Sequence, residues 1–302
     1  MSILKLIRWK NLIMIAVVQL LIKYALFPAF AIDTTLNALG FTFLIPATLF
    51  IAAGGYVIND IYDMETDAVN KPEKVIVGKH ITEKTANYLY IIFTVIGVFC
   101  GFYLSHSVGK PEFFVTFVII SAALYVYASY LKQVAVAGNI LVSLLVSVSL
   151  MIVGMFELLP AITPQNQSVQ STMFEVLADF AIFAFFINFI REIVKDIQDV
   201  DGDHKVGMQT LPIVFGKLRT AKIAFGLTCI TILIIIYYIG TFLYMHTDAI
   251  IYFLVAVVGP LIYIAIKLFS AEKKQQFKHI SLVLKLVMIT GMLSMVLYYF
   301  IF

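Results

Sequence analysis

Long apolar stretches separated by short polar breaks run through the whole of this 302-residue sequence. A helix needs about 20 mainly apolar residues to cross the hydrocarbon core of a bilayer. Nine stretches approach or exceed that length: 11–32, 36–58, 85–105, 112–131, 137–158, 172–194, 220–244, 249–269 and 279–301. The pattern predicts an all-α polytopic membrane protein with about nine transmembrane helices, in which residues 1–302 form a single domain.

The composition leads to the same interpretation. Hydrophobic residues make up 62% of the chain and charged residues 13%, and the mean hydropathy is +0.98. Soluble domains are roughly half apolar and a quarter charged, so lipid must surround most of this surface. The first apolar stretch is too long for a signal-peptide core and lacks a small-residue cleavage pattern, so we expect it to be retained. Cys100 and Cys229 both lie in apolar stretches and give neither a disulfide framework nor a metal-ligand spacing.

Basic residues are distributed unevenly over the connections between the predicted spans. If the N-terminus is cytoplasmic, 18 of the 21 Lys and Arg residues fall on the cytoplasmic side and only Lys110 falls on the other. The positive-inside rule therefore predicts a cytoplasmic N-terminus and cytoplasmic connections at 59–84 and 195–219. Lys23 and Lys285 lie within spans. Lys23 is far from these connections and Lys285 can reach the interface along its stem, so neither is assigned to a site.

Each of the two long cytoplasmic connections carries three aspartates at the spacing i, i+3 and i+7. These aspartates are Asp60, Asp63 and Asp67 in the first motif and Asp196, Asp199 and Asp203 in the second. Such offsets fall within an arc of about 60° on a helix, so each set is predicted to line one helical face, although Gly202 leaves the continuation to Asp203 open.

Carboxylates at this spacing repel each other, and a divalent cation would relieve the repulsion. Magnesium takes one or two protein carboxylates and completes its shell with water and phosphate oxygens. Two acidic faces with no Cys or His between them therefore predict a Mg²⁺–diphosphate site. All six aspartates are its predicted metal ligands and catalytic residues.

These residues resemble the signatures of a known family, the UbiA superfamily of intramembrane prenyltransferases. The matching segments are Asn59-Asp60-x-x-Asp63-x-x-x-Asp67-x-x-Asn70-Lys71-Pro72, then Lys195–Asp203, and a weaker third element Tyr127–Lys132 with Gly138-Asn139 after it. The resemblance implies nine helices around a central cavity, with both acidic motifs at its cytoplasmic mouth. One departure is that Val75 follows Lys74 where family members commonly have proline.

The resemblance also implies an activity, the Mg²⁺-dependent transfer of a prenyl group from a prenyl diphosphate to a lipid-soluble acceptor. The second motif is most similar to the branch that alkylates a glycerol-phosphate ether lipid, so we expect a geranylgeranyl donor and geranylgeranylglyceryl phosphate as acceptor. An aromatic quinone precursor of menaquinone, homogentisate or hydroxybenzoate type is the alternative. An ion-coupled transporter is a remote one, because the acids lie at one membrane face and not at the midplane. Membrane lipid is an expected partner; nucleic acid and an obligatory protein partner are not.

Polar and basic residues near the two motifs are the candidate substrate-binding residues. They are Asn59, Lys74, Lys132, Arg191, Lys195, Arg8, Asn11 and Tyr127. The basic ones could bind phosphate oxygens, or could serve only as positive-inside anchors. Arg8 and Asn11, at the start of the first span, are candidate acceptor contacts.

Overall fold

The computed structural model describes residues 2–301, and nine helices among them are long and apolar enough to cross a membrane. We number them α1 to α9: Trp9–Ala29, Ala38–Tyr62, Glu83–Ser107, Pro111–Ser129, Ala137–Ala161, Gln167–Lys205, Lys217–Phe242, Thr247–Ser270 and Lys274–Phe300. The described part of the chain contains no β-strand, and its β-pairing is confined to isolated bridges. The predicted all-α polytopic fold is confirmed.

Two helices extend beyond the apolar stretches that predicted them. The sixth stretch was 172–194, whereas α6 runs unbroken from Gln167 to Lys205; the ninth was 279–301, whereas α9 begins at Lys274. Hydropathy finds only the apolar part of a helix, and here polar turns continue the same helix past it. The connection predicted at 195–219 is therefore shorter than expected, and the second motif lies on the last turns of α6.

The first motif lies on two helical segments. α2 ends at Tyr62, Asp63 has φ −93° and ψ 3°, and a short helix, Met64–Asn70, follows. The amides of Asp63 and Asp67 still donate to carbonyls four residues back, at 2.9 and 2.8 Å. The prediction of one uninterrupted helical face is thus wrong for the first motif and right for the second.

Gly202 lies where α6 passes the short helix Met64–Asn70. Its amide donates to Asn70 Oδ1 at 2.9 Å, and Asn70 Nδ2 donates to the carbonyl of Asp199 at 2.6 Å. A Cβ at Gly202 would lie 2.7 Å from the Thr66 carbonyl oxygen and closer still to Asn70 Nδ2. Close approach of the two motifs therefore requires glycine here, and the helix continues through it to Asp203.

The end of the bundle opposite the motifs contains a buried ion pair between α1 and α5. Lys23 Nζ lies 2.8 Å from Glu157 Oε1 and donates to the Leu36 carbonyl at 2.7 Å. The other carboxylate oxygen, Oε2, accepts from the Leu36 amide at 3.0 Å. Loss of either charge would leave the other buried without compensation, which is strongly destabilising. The pair accounts for Lys23 as a structural residue.

Candidate active site

A cavity of about 1030 Å³ opens at the motif end of the bundle. Along α6 its lining residues are Phe180, Phe183, Ala184, Ile187, Asn188, Arg191, Glu192, Lys195, Asp196, Asp199 and Asp203. Steps of three and four are those of one helix face, and the row is about 35 Å long at 1.5 Å per residue. The row is apolar up to Ile187 and charged from Arg191. One helix face therefore joins an apolar tunnel to a charged mouth.

All six predicted aspartates line this mouth, so the fold brings the two motifs together. Within residues 2–301, however, no three Asp, Glu, His or Cys side chains converge as a group that could hold a metal ion. Basic and amide side chains hold several of the carboxylates instead. The repulsion predicted from the sequence is relieved in part by the protein itself.

Two carboxylates of the first motif are paired with cations from other elements. Arg8 Nη2 lies 2.9 Å from Asp60 Oδ1, and Lys132 Nζ lies 2.5 Å from Asp63 Oδ1. Asn59 Nδ2 donates to the second oxygen of Asp63 at 2.5 Å. The Lys132 side chain is only 8% exposed, so this pair is poorly screened by solvent and fixes Asp63 in the mouth.

Arg8 reaches Asp60 from a left-handed backbone conformation. Its φ of 50° and ψ of 52° join a short helix, Ser2–Leu6, to α1. A non-glycine residue with positive φ is uncommon and is associated with strained functional positions. The guanidinium lies over the ring of Tyr56, 5.1 Å from its centroid. The strained turn thus places a cation against both Asp60 and an aromatic face.

The second motif is bonded to the first and to α5. Lys71 Nζ lies 2.6 Å from Asp199 Oδ2, and Asn139 Nδ2 donates to Asp196 Oδ2 at 2.8 Å. Burial, together with the nearby Asp63 carboxylate, raises the pKa of Asp67 to about 6. Among the described ion pairs none includes Asp67, Asp196 or Asp203, so no basic side chain in the described part of the chain pairs with these three carboxyl groups.

This arrangement fits a magnesium ion bound together with a diphosphate. Its donors are carboxylate oxygens, the hard ligands that Mg²⁺ prefers. Asp199 Oδ1 is buried and has no hydrogen-bond partner within the described residues. A buried acceptor without a partner costs free energy that a bound cation would offset.

The eight predicted substrate-binding residues all line the cavity: Asn59, Lys74, Lys132, Arg191, Lys195, Arg8, Asn11 and Tyr127. They do not share one environment. Lys74 is exposed at the rim, in the turn Pro72–Lys74, whereas Lys132 is almost fully buried against Asp63. Lys195 binds Glu192, at 2.7 Å to Oε2, on its own helix. Their roles toward substrate stay predictions.

Sequence reasoning missed four polar residues of the cavity region. Lys71, Asn70 and Asn139 stand within the recognised motifs, so the motifs themselves carried the signal. Lys285 was set aside as a residue that reaches the interface, which is wrong. Its Nζ donates to Asn11 Oδ1 at 2.8 Å, and its side chain lines the cavity.

Comparison with known proteins identifies the family that the two motifs resemble. Residues 20–289 match the UbiA prenyltransferase family. A digeranylgeranylglyceryl phosphate synthase of Korarchaeum cryptofilum is 31% identical over 261 residues, which cover 84% of this chain and 83% of that protein.

Two solved structures share the fold. A digeranylgeranylglyceryl phosphate synthase structure has a TM-score of 0.65 at 22% identity, covering 100% of this chain and 98% of that one. A UbiA homologue from Archaeoglobus fulgidus, bound to GPP and Mg²⁺, has a TM-score of 0.54 at 16% identity, covering 98% and 99%. The chain belongs to the UbiA prenyltransferase family, and it is an integral, multi-pass membrane enzyme that transfers prenyl groups.

Proposed function

We propose that this enzyme transfers a geranylgeranyl group from its diphosphate to the free hydroxyl of geranylgeranylglyceryl phosphate, with Mg²⁺ as cofactor. The observation that carries the proposal is the single row on α6, which joins an apolar tunnel to a mouth lined by all six aspartates. The name of the Korarchaeum relative supports the acceptor, and the ligands of the Archaeoglobus homologue support the metal and the class of donor.

The aspartates would hold Mg²⁺ at the mouth through their free oxygens. The first ligands would be Asp199 Oδ1 together with Asp67, Asp196 and Asp203, which have no ion-pair partner among the described residues. When bound, the metal would supply positive charge that stabilises the departing diphosphate. Lys71 and Lys132 are within reach of the same space and would bind phosphate oxygens with charge-assisted hydrogen bonds.

The apolar lining binds and orients the donor tail. Phe180, Phe183 and Ile187 on α6, with Ile120 and Phe117 on α4, line the tunnel below the charged residues. They exclude water from the allylic carbon, which would otherwise be hydrolysed. The bond between that carbon and diphosphate oxygen breaks, a bond to the acceptor oxygen forms, and the hydroxyl proton leaves at the carboxylate-lined mouth.

The active-site mouth is proposed to face the cytoplasm. α1 begins and α2 and α6 end at the mouth, and the segments at this end carry most of the Lys and Arg residues, 18 of the 21. The positive-inside rule supports this orientation. Residues 109 and 246 lie in connections at the opposite end of the bundle. A reporter enzyme that is active only outside the cytoplasm should therefore be active when it is fused at either residue.

Product analysis tests the proposed reaction directly. Purified protein is incubated with Mg²⁺, labelled geranylgeranyl diphosphate and a panel containing geranylgeranylglyceryl phosphate, hydroxybenzoate, homogentisate and a naphthoquinone precursor. A glycerol diether phosphate should dominate the products by mass spectrometry. Preferential labelling of an aromatic ring would overturn the lipid acceptor while leaving the family assignment intact.

A further inference from the structure

The cavity lining is rich in acidic residues at the mouth and rich in basic residues below it. Three carboxylates at the mouth have no ion-pair partner among the described residues. Deeper in the cavity basic residues outnumber acidic ones. Three cations, Arg191, Lys195 and Lys285, line this part. Glu192 pairs with the first two, and Lys285 is in no described ion pair. An acid-rich half needs a metal ion before it can bind an anion, whereas a base-rich half can bind one directly.

Lys285 lies at the level of Arg191. α6 and α9 are antiparallel neighbours, and Gln198 Nε2 donates to the Phe277 carbonyl at 3.4 Å. Lys285 is eight residues further along α9 than Phe277, or about 12 Å at 1.5 Å per residue, and this brings it level with residues 190–191 of α6. Arg191 and Lys195 line the same cavity as Lys285. The cations therefore share one region of the cavity wall.

The polar groups in this region have unused capacity for an anion. Lys285 Nζ has a neutral partner, Asn11 Oδ1, and no carboxylate within 4 Å among residues 2–301. Arg191 Nε is buried and has no hydrogen-bond partner in the described part of the chain. Arg191 touches Glu192 only through Nη1, at 3.3 Å. An unpaired buried guanidinium N–H and an ammonium without a counter-ion are costly unless a ligand satisfies them.

We propose that Lys285 and Arg191, with Asn11 positioning the Lys285 ammonium, form a second anion-binding site, which holds the phosphate of the glycerol-phosphate lipid acceptor independently of metal. The inference rests on the proposed function and adds the place of the acceptor headgroup to it. Arg191 lies eight residues from Asp199 on the same face of α6, about 12 Å along the axis. That separation leaves room between the two anions for the reacting carbon and the acceptor hydroxyl.

Equilibrium binding without metal tests the site apart from catalysis. Labelled geranylgeranylglyceryl phosphate and its dephosphorylated alcohol are bound to detergent-purified protein in excess EDTA. The wild type should bind the phosphate form at least about tenfold more tightly, since only that form makes charge-assisted hydrogen bonds to Lys285 and Arg191. Lys285→Met keeps the length of the side chain and should abolish this preference. Asn11→Asp, which supplies a counter-ion to Lys285, should abolish it too, and Lys285→Arg should retain it.

Lys278→Met is the matched control, because Lys278 is exposed on the same helix and does not line the cavity. Thermal unfolding of each variant checks that it is folded. In Mg²⁺ assays Lys285→Met should raise the KM for the phosphate acceptor at least tenfold and the KM for the prenyl diphosphate less than twofold.

The outcomes separate the two proposals. A wild type that forms the diether phosphate while Lys285→Met binds and uses the acceptor normally would overturn the second site and leave the proposed function standing. A wild type that prefers the phosphate form in EDTA but prenylates only aromatic acceptors would overturn the proposed function and leave an anion site. Equal binding of the phosphate and the alcohol by the wild type would overturn the second site outright.

Discussion

Lys71 Nζ lies 2.6 Å from Asp199 Oδ2, and this ion pair joins the two acidic motifs across the mouth of the cavity. The other oxygen of the same carboxylate is buried and without a hydrogen-bond partner among the described residues. A metal ion bound at the mouth would therefore compete with an ammonium group for one carboxylate. Lys132 likewise holds Asp63 at 2.5 Å, although there the second carboxylate oxygen accepts from Asn59 Nδ2.

Removing these ammonium groups should strengthen metal binding and weaken donor binding. In Lys71→Met or Lys132→Met, each freed carboxylate attracts a divalent cation more strongly, since a competing positive charge has gone. We expect Mn²⁺ affinity of the substrate-free protein, measured by electron paramagnetic resonance, to rise several-fold. The KM for prenyl diphosphate should rise about tenfold, because a phosphate-binding cation is lost. Lys79→Met, exposed and outside the cavity, is the control; unchanged Mn²⁺ affinity in both test variants would contradict the competition.

A carboxylate of the second motif should be essential only if it faces the cavity. Asp199→Asn removes a charge at constant shape and should lower the prenyl-transfer rate at least about hundredfold, the scale of losing electrostatic stabilisation of a leaving group. Asp201→Asn changes the neighbouring motif aspartate, which is 66% exposed and pairs with Lys217 at 3.4 Å, and should leave the rate within about twofold. Equal rates in the two variants would refute the assignment.

Activity should require a divalent cation. Excess EDTA should abolish prenyl transfer, and added Mg²⁺ should restore it, because three carboxylates at the mouth have no described ion-pair partner to neutralise them against a diphosphate. The measurement is product formation by thin-layer chromatography at graded free Mg²⁺. Full turnover in EDTA would exclude the aspartates as metal ligands.

Gly202→Ala should damage both stability and activity. The new methyl group would collide with the Thr66 carbonyl and Asn70, forcing the two motifs apart at a cost of about 1–3 kcal/mol. Gly226→Ala is the matched control, since no atom of the described residues lies within 4 Å of a Cβ there and alanine favours a helix interior by about 0.5–1 kcal/mol. Thermal unfolding in detergent and the transfer rate are measured for both. A Gly202→Ala protein as stable and active as Gly226→Ala would disprove the close approach.

The far end of the tunnel should select the donor chain length. Phe180 is the deepest cavity residue on α6, with its ring 6.0 Å from that of Tyr298. Phe180→Ala removes this ring and should lengthen the space open to the donor tail. The relative kcat/KM for donors longer than geranylgeranyl diphosphate should therefore rise. Phe99→Ala, on the outer surface and 66% exposed, should leave the ratio unchanged. Product mass spectrometry with mixed donors reads the ratio, and an unaltered preference in Phe180→Ala would show that another residue closes the tunnel.

Much of this protein was determined by local sequence. Nine spans follow from stretches of apolar residues, because a helix that crosses lipid must satisfy its own backbone and present apolar side chains. The shared helix face of Asp196, Asp199 and Asp203 followed from their spacing, since neighbours at three and four residues share a helix face. The residues of the acidic motifs were therefore identified before the fold was known.

Tertiary structure decided which charges meet. The spacing of residues along the sequence does not show that Lys71 pairs with Asp199, 128 residues away. It also does not show that position 202 must lack a side chain because Asn70 packs against it. Lys285 is the clearest case, because a lysine inside an apolar span can point to the interface or into a cavity. Which of these a lysine does depends on the helix packed against it, here α1 with Asn11. Hydropathy is a property of one segment, whereas the pairing of charges depends on the distances between segments that only the packed bundle sets.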